Sequence, residues 1–252
     1  MRISWVTVVL CLSASLATLA GDLPPGSQMA VAIERNDLEK VKELVEEHGV
    51  ELRIEYSAEN SVSPLAKACW DGREEIVRYL LEKGANVNVT TSDGTTPLLE
   101  AVRRERPVIV GMLLAKGAKP NQRDSRQMTP LGTAAGVGSV EVIELLVKAK
   151  ADLHAEMYGI TPLGFAVAAK KTEAIKRLVA LGANVNHVSK LSGQTALHGA
   201  ILQGGDPKMI ELLLSLKANP NARAKDGATP LKMAKDAEME DIIPILKKAG
   251  AK

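Results

Sequence analysis

A short Ser/Thr-Pro-Leu element recurs along this chain at nearly constant spacing, and that recurrence limits the fold more than any other feature. Pro64, Pro97, Pro130, Pro162, Ala196 and Pro230 occupy the same place in successive copies, 33, 33, 32, 34 and 34 residues apart. A unit of about this length is one supersecondary element, too small to bury its apolar face alone. Copies in tandem must therefore stack, each covering its neighbour. The clearest copy is Thr129–Asp152, and variants of it run from Ser63 to the C-terminus.

The residues within a copy specify two helices and a loop. Ser or Thr before Pro suits an N-cap followed by a first-turn proline, which needs no amide hydrogen. Small residues such as Ala134-Ala135 then allow close approach of a first helix. Glycine at 72, 138 and 204 marks the turn into a second helix with an Ile-Val-x-x-Leu-Leu pattern. Gly84, Gly117 and Gly182 end that helix, as expected of a residue able to take a left-handed cap conformation. Asn86-Val87-Asn88, Asn184-Val185-Asn186 and Asn219-Pro220-Asn221 open an extended, hairpin-like segment, closed by turn signals such as Asp93-Gly94, Tyr158-Gly159 and Asp226-Gly227. With this period and Thr-Pro-Leu signature the chain resembles the ankyrin-repeat family over roughly residues 28–252. The resemblance implies an all-α solenoid of about seven helix-turn-helix repeats joined by β-hairpin-like loops, and a protein-binding function.

The ends differ from the middle. Residues 1–20 have a positive start at Arg2, an uncharged apolar run and Thr18-Leu19-Ala20 before Gly21, the pattern of a secretory signal peptide. The competing reading is a retained membrane anchor, for which about 20 apolar residues are needed. Cleavage directs the chain to a periplasm or outside the cell. Residues 21–27 read as a linker, 28–62 as an N-terminal capping repeat with a longer connecting loop, 63–228 as five internal repeats and 229–252 as a polar C-terminal cap. Pro244 inside the last helix implies a kink or an early helix start.

No enzyme chemistry assembles in the sequence. The four histidines are dispersed and none pairs with another His or Cys at metal-ligand spacing. His198, in Thr195-Ala196-Leu197-His198, occupies the family's structural histidine position, which implies hydrogen bonding between repeats. Cys69 reads as a buried thiol, and once Cys11 is removed no internal disulfide is possible. No catalytic residue, cofactor or metal is expected. The formal net charge is +2 and no like-charge block occurs, so nucleic acid is not a partner class. Membrane attachment after signal cleavage is not expected either, and hidden terminal faces imply a monomer.

The remaining candidates are positions that the repeat leaves free. The resemblance implies that a protein partner binds loop tips and the exposed face of the first helices. Tip residues are Arg126 and Met128, then Met157, Tyr158 and Ile160, then Leu191; helix-face residues are Trp70 and Asp71, Arg103 and Arg104, Val137, and Leu202 and Gln203. Apolar residues in the middle tips, with Trp70 and the arginines, suggest a concave groove that is apolar centrally and basic toward the N-terminus. The alternative is that Met157 and Ile160 pack against neighbouring loops with no partner. A resident envelope factor, a secreted effector capturing a host protein and a structural assembly element all fit this reading.

Overall fold

The computed structural model describes residues 24–47 and 63–252. The signal-peptide reading of residues 1–20 and the Val50–Ser61 link lie outside the described residues. Fourteen helices are present among them, arranged as seven antiparallel-type pairs along the chain. The pairs are α1 Pro25–Glu34 with α2 Leu38–Glu46, α3 Pro64–Asp71 with α4 Glu74–Glu82, α5 Pro97–Arg103 with α6 Pro107–Ala115, and α7 Pro130–Val137 with α8 Val140–Lys148. They continue with α9 Pro162–Ala168 and α10 Thr172–Ala180, α11 Ala196–Leu202 and α12 Pro207–Ser215, and α13 Pro230–Asp236 and α14 Ile242–Lys248. No extended strand occurs among the described residues; the loops hold one isolated bridge, Met157 to Ile160.

The Ser/Thr-Pro element performs the expected capping. Ser63, Thr96, Thr129, Thr161 and Thr229 each accept a hydrogen bond from the amide three residues on, at 3.1–3.2 Å. Each proline then occupies the first turn, where a missing amide costs nothing. Two expectations at the ends shift. Helix α1 begins at Pro25, inside the stretch read as a linker, because Pro24-Pro25 supplies the same first-turn proline. Pro244 does not sit mid-helix: α14 starts at Ile242, so the proline falls in the first turn.

First helices stack on first helices, α1 through α13, and this column is continuous. Second helices form a parallel column in which α10 and α12 are the least closely apposed neighbours. Between the columns runs one aliphatic core built of a layer per repeat, including Leu65, Leu80, Leu98, Leu113, Leu131, Ile143, Leu163, Leu178, Leu197, Leu213 and Leu231. Cys69 belongs to it, and burial pushes its thiol well above the usual range.

On the second-helix side, side chains tie repeat to repeat. The Nδ2 of Asn88 donates to the Gly117 carbonyl at 3.1 Å, and its Oδ1 accepts from the Lys119 amide at 2.9 Å. Asn121, Asn186 and Asn221 make the same two bonds to the repeat that follows each. His154 takes this place in the fourth repeat, accepting from the Asn184 amide at 3.0 Å. These asparagines therefore begin an inter-repeat ladder rather than strands. Buried His198 works on the other side: its Nδ1 accepts from the Thr195 amide at 3.2 Å, and its Nε2 donates to the Ala228 carbonyl at 3.3 Å. Burial outweighs the bond to the Ala228 carbonyl and holds its imidazole below its ordinary value.

Candidate protein-binding surface

The exposed first-helix faces and the loops beside them form one continuous surface along the stack. Its two halves use side chains differently. In the N-terminal half most charged groups engage one another. Arg103 donates to the Asp124 carboxylate at 2.7 Å, to Glu100 at 3.2 Å and to the Thr95 hydroxyl at 3.3 Å. Asp124 is fully buried, and its second oxygen accepts the Met128 amide at 2.8 Å. Arg126 adds a longer contact to the same carboxylate, 3.5 Å, while staying exposed. Asp71 is paired with Lys67 at 2.7 Å. Burial raises the Glu100 carboxyl despite the nearby arginines. Arg104 lies over the Trp70 ring, 3.4 Å from its centroid, so one aromatic face is already covered by a cation.

The C-terminal half leaves apolar side chains uncovered. Tyr158 is 67% exposed, Leu191 68%, Leu202 61% and Ile160 41%. All four line one open groove of about 300 Å³ between adjacent loops and helices α9 and α11. Gly164 and Gly199 lie in its floor. A Cβ on Gly199 would meet nothing within 4 Å, so no packing within the chain requires glycine there. Gln203, Gln194, Ser189 and Ser192 add hydrogen-bonding groups at the edge.

The loop carrying Tyr158 differs from the others, and the 32-residue spacing between Pro130 and Pro162 shows why. With one residue fewer, Met157 and Ile160 exchange amide-to-carbonyl bonds of 2.9 and 3.0 Å. Tyr158 (φ 53°) and Gly159 (φ 79°) form the two-residue turn between them. Both central residues have positive φ, as a type I′ turn demands. Glycine tolerates that conformation and a bulky tyrosine does not, so the tip is strained to hold an exposed ring.

Met157 requires a correction. It is fully buried rather than presented at a tip, because the short turn directs it inward against the start of helix α7. Its sulfur lies 3.1 Å from the Thr129 amide, and Gly132 leaves the room: a Cβ there would stand 1.9 Å from the Met157 methyl. Arg103 is likewise mostly enclosed by its ion pairs, and Asp71, Met128 and Val137 are half-buried. Trp70, Arg104, Arg126, Tyr158, Ile160, Leu191, Leu202 and Gln203 face outward. Of these, the groove brings together Tyr158, Ile160, Leu191, Leu202 and Gln203; Trp70 and Arg104 stand apart toward the N-terminus.

Sequence reading missed Gly164 and Gly199 in the floor. The signal was present: Gly199 precedes Leu202 by three residues and so shares its helix face. It also missed the Glu156–His187 pair, 2.9 Å apart, which braces the two loops bounding the groove. The Lys190 amide donates to the same carboxylate at 3.0 Å. Burial alone would raise this carboxyl, but the His187 bond and the Lys190 amide outweigh it and lower it. No cluster of metal-ligating groups occurs among the described residues, and no described helix is long and apolar enough to cross a membrane.

A stack of paired short helices with projecting loops, capped by Thr-Pro and tied by asparagines, is a tandem-repeat binding scaffold. The family profile "Ankyrin repeats (3 copies)" matches residues 29–124, 119–189 and 163–252, and the chain belongs to the ankyrin-repeat family. It is 32% identical over 193 residues to the nuclear factor NF-kappa-B p105 subunit of Gallus gallus, covering 75% of this chain but 16% of that protein. The crystal structure of the human ASB11 ankyrin repeat domain aligns with a TM-score of 0.75 and 30% identity, covering 89% of this chain and 98% of that one. An ankyrin repeat domain from Acinetobacter baumannii aligns at 0.68 with 33% identity, over 75% of this chain and 98% of that one. Ankyrin repeats are protein–protein interaction scaffolds and are generally non-catalytic.

Proposed function

We propose that this chain is an exported, non-catalytic scaffold that holds one protein partner in the groove between the Tyr158 and Leu191 loops. The observation carrying this reading is the set of four large apolar side chains left exposed around one groove, Tyr158, Ile160, Leu191 and Leu202. Exposed apolar residues grouped in a concavity favour a partner far more than the same residues scattered singly. The braced loops and close repeat stacking keep the groove in shape before the partner arrives, which lowers the ordering cost of binding. Export to a periplasm or the outside rests on the charged start, apolar run and Thr18-Leu19-Ala20 of the first twenty residues. A monomer follows from the polar C-terminal repeat, with Lys232, Lys235, Asp236, Glu238 and Glu240 exposed or partly so.

Affinity capture from the producing cells, with the Tyr158→Ala/Leu202→Asp variant beside the natural chain, tests the binding claim. A protein retained by the natural chain and lost with the variant is expected; capture that ignores the variant would contradict it. N-terminal sequencing of the chain recovered outside the cytoplasm should begin at Gly21.

A further inference from the structure

The groove has a sign as well as a polarity. Its floor helices, α9 and α11, carry no charged side chain; their one titratable group is buried His198. The two loops that bound it contain two carboxylates: Asp152, which accepts the His154 amide at 2.8 Å on the second-helix side, and Glu156, which is held by His187 at 2.9 Å and by the Lys190 amide at 3.0 Å. Glu156 faces into its own loop junction and has little left to offer a partner. Of the exposed charges on the loops beside the groove, Lys190 next to Leu191 and Lys225 on the following loop are cationic, while Asp226, next to Lys225, turns its carboxylate back to accept the Ala228 amide at 2.9 Å. Lys225 reaches across to donate to the Lys190 carbonyl at 2.6 Å, which sets its ammonium against the loop that carries Leu191.

On the basis of the protein-binding reading above, we propose that the occupant is an extended acidic segment with one bulky apolar anchor. The anchor enters between Tyr158, Leu191 and Leu202, and its flanking carboxylates face Lys190 and Lys225. The size of the groove sets the first part of this claim. A space of about 300 Å³ admits one or two large side chains and not a whole helix with a diameter of about 10 Å. Charge sets the second part. Lysines around an uncharged floor repel a basic segment and attract an acidic one, an effect that acts mainly on encounter and selectivity and weakens with salt. Gly199 sets the third, since an open glycine in the floor lets a partner's backbone lie close.

The test is a selection of phage-displayed random dodecapeptides on the full chain, with removal of phage that bind the Leu202→Asp variant. Selected peptides should carry net negative charge together with Phe, Trp, Leu or Met. Their affinity should fall at least about tenfold in Leu202→Asp or Leu191→Asp, and several-fold in Lys190→Glu. It should also fall as salt rises from about 50 to about 300 mM. Both leucines are more than half exposed, so circular dichroism of the variants should match the natural chain. Enrichment of neutral or basic peptides, equal binding by the leucine variants, or no enrichment would overturn the proposal. So would Leu202-dependent binding to vesicles of anionic lipid in place of peptide. If the capture experiment still retains a protein that depends on Tyr158 and Leu202, the protein-binding reading survives and only the acidic, anchored occupant is lost.

Discussion

The two halves of the exposed surface contain similar kinds of residue and use them for different ends. Around Arg103 the charges meet inside the protein: a buried Asp124 collects Arg103, a loop amide and a distant Arg126. Around Leu202 the large side chains stay largely exposed, and the loops beside them are braced through Glu156 and His187. A group satisfied within the chain has little free energy to give a partner, whereas an exposed apolar group gains it only by being covered. The arginine cluster therefore reads as a clamp between loops and the C-terminal groove as the place to bind.

The largest stability effect expected of this contrast lies in the clamp. Asp124→Ala leaves the Met128 amide unpaired and strips Arg103 of its closest partner. Because Arg103 is partly exposed and can turn to water, the loss should be about 2 kcal/mol, below the range for a fully buried pair. Chemical denaturation would show it, and partner binding at the C-terminal groove should be unchanged. If binding fell as much as stability, the two halves would not be separable.

A second expectation concerns the base of the Tyr158 loop. Gly132→Ala would drive its new methyl into the flexible end of Met157 and should cost about 1 kcal/mol, the low end for overpacking. Met157→Ala removes that conflict, so the double variant should be scarcely less stable than Met157→Ala alone. Additive losses would mean that Met157 does not occupy the space Gly132 leaves.

His198 makes the neighbouring repeat pH-sensitive. Its folded-state affinity for protons lies below the ordinary 6.5, so the unfolded chain binds the proton more readily. The stability it contributes is whole above pH 6.5 and is lost as pH falls from there toward the folded value. Denaturation midpoints for the natural chain should decline over that interval more steeply than those of His198→Gln. Equal slopes would contradict a buried, neutral imidazole.

The smallest effect is a gain. Lys150 and Lys217 hold positive φ, 65° and 71°, in the helix-ending place where Gly84, Gly117, Gly182 and Gly250 stand. Lys150→Gly relieves a left-handed side chain at a place made for glycine, and should stabilise by about 0.5 kcal/mol after the entropy of the unfolded chain is counted.

Those two lysines show how far the sequence could be read. The 33-residue period and the Thr-Pro caps made the stack legible, since they state a repeating physical requirement. Glycine at 84, 117 and 182 announced the helix ends, but lysine in the same conformation announced nothing, because the fold imposes it there. Met157 was misplaced for a related reason. Its neighbours Tyr158 and Gly159 read as an ordinary turn, and only the one-residue shortening between Pro130 and Pro162 turns Met157 inward and Tyr158 outward. The inward or outward sense of a loop residue depends on register, which a single deletion reverses. Arg103 looked like a binding residue because sequence shows an exposed helix position without showing Asp124 brought beside it from the loop before α7.

The most direct test of this division is the affinity of the captured partner for two single variants, measured by titration calorimetry beside the natural chain. Leu202→Asp should weaken binding about a hundredfold or more, as the loss of a central apolar contact does. Arg104→Ala, which uncovers Trp70 at the far end, should change it less than about threefold. A larger loss from Arg104→Ala than from Leu202→Asp would place the partner on the N-terminal half and contradict the account.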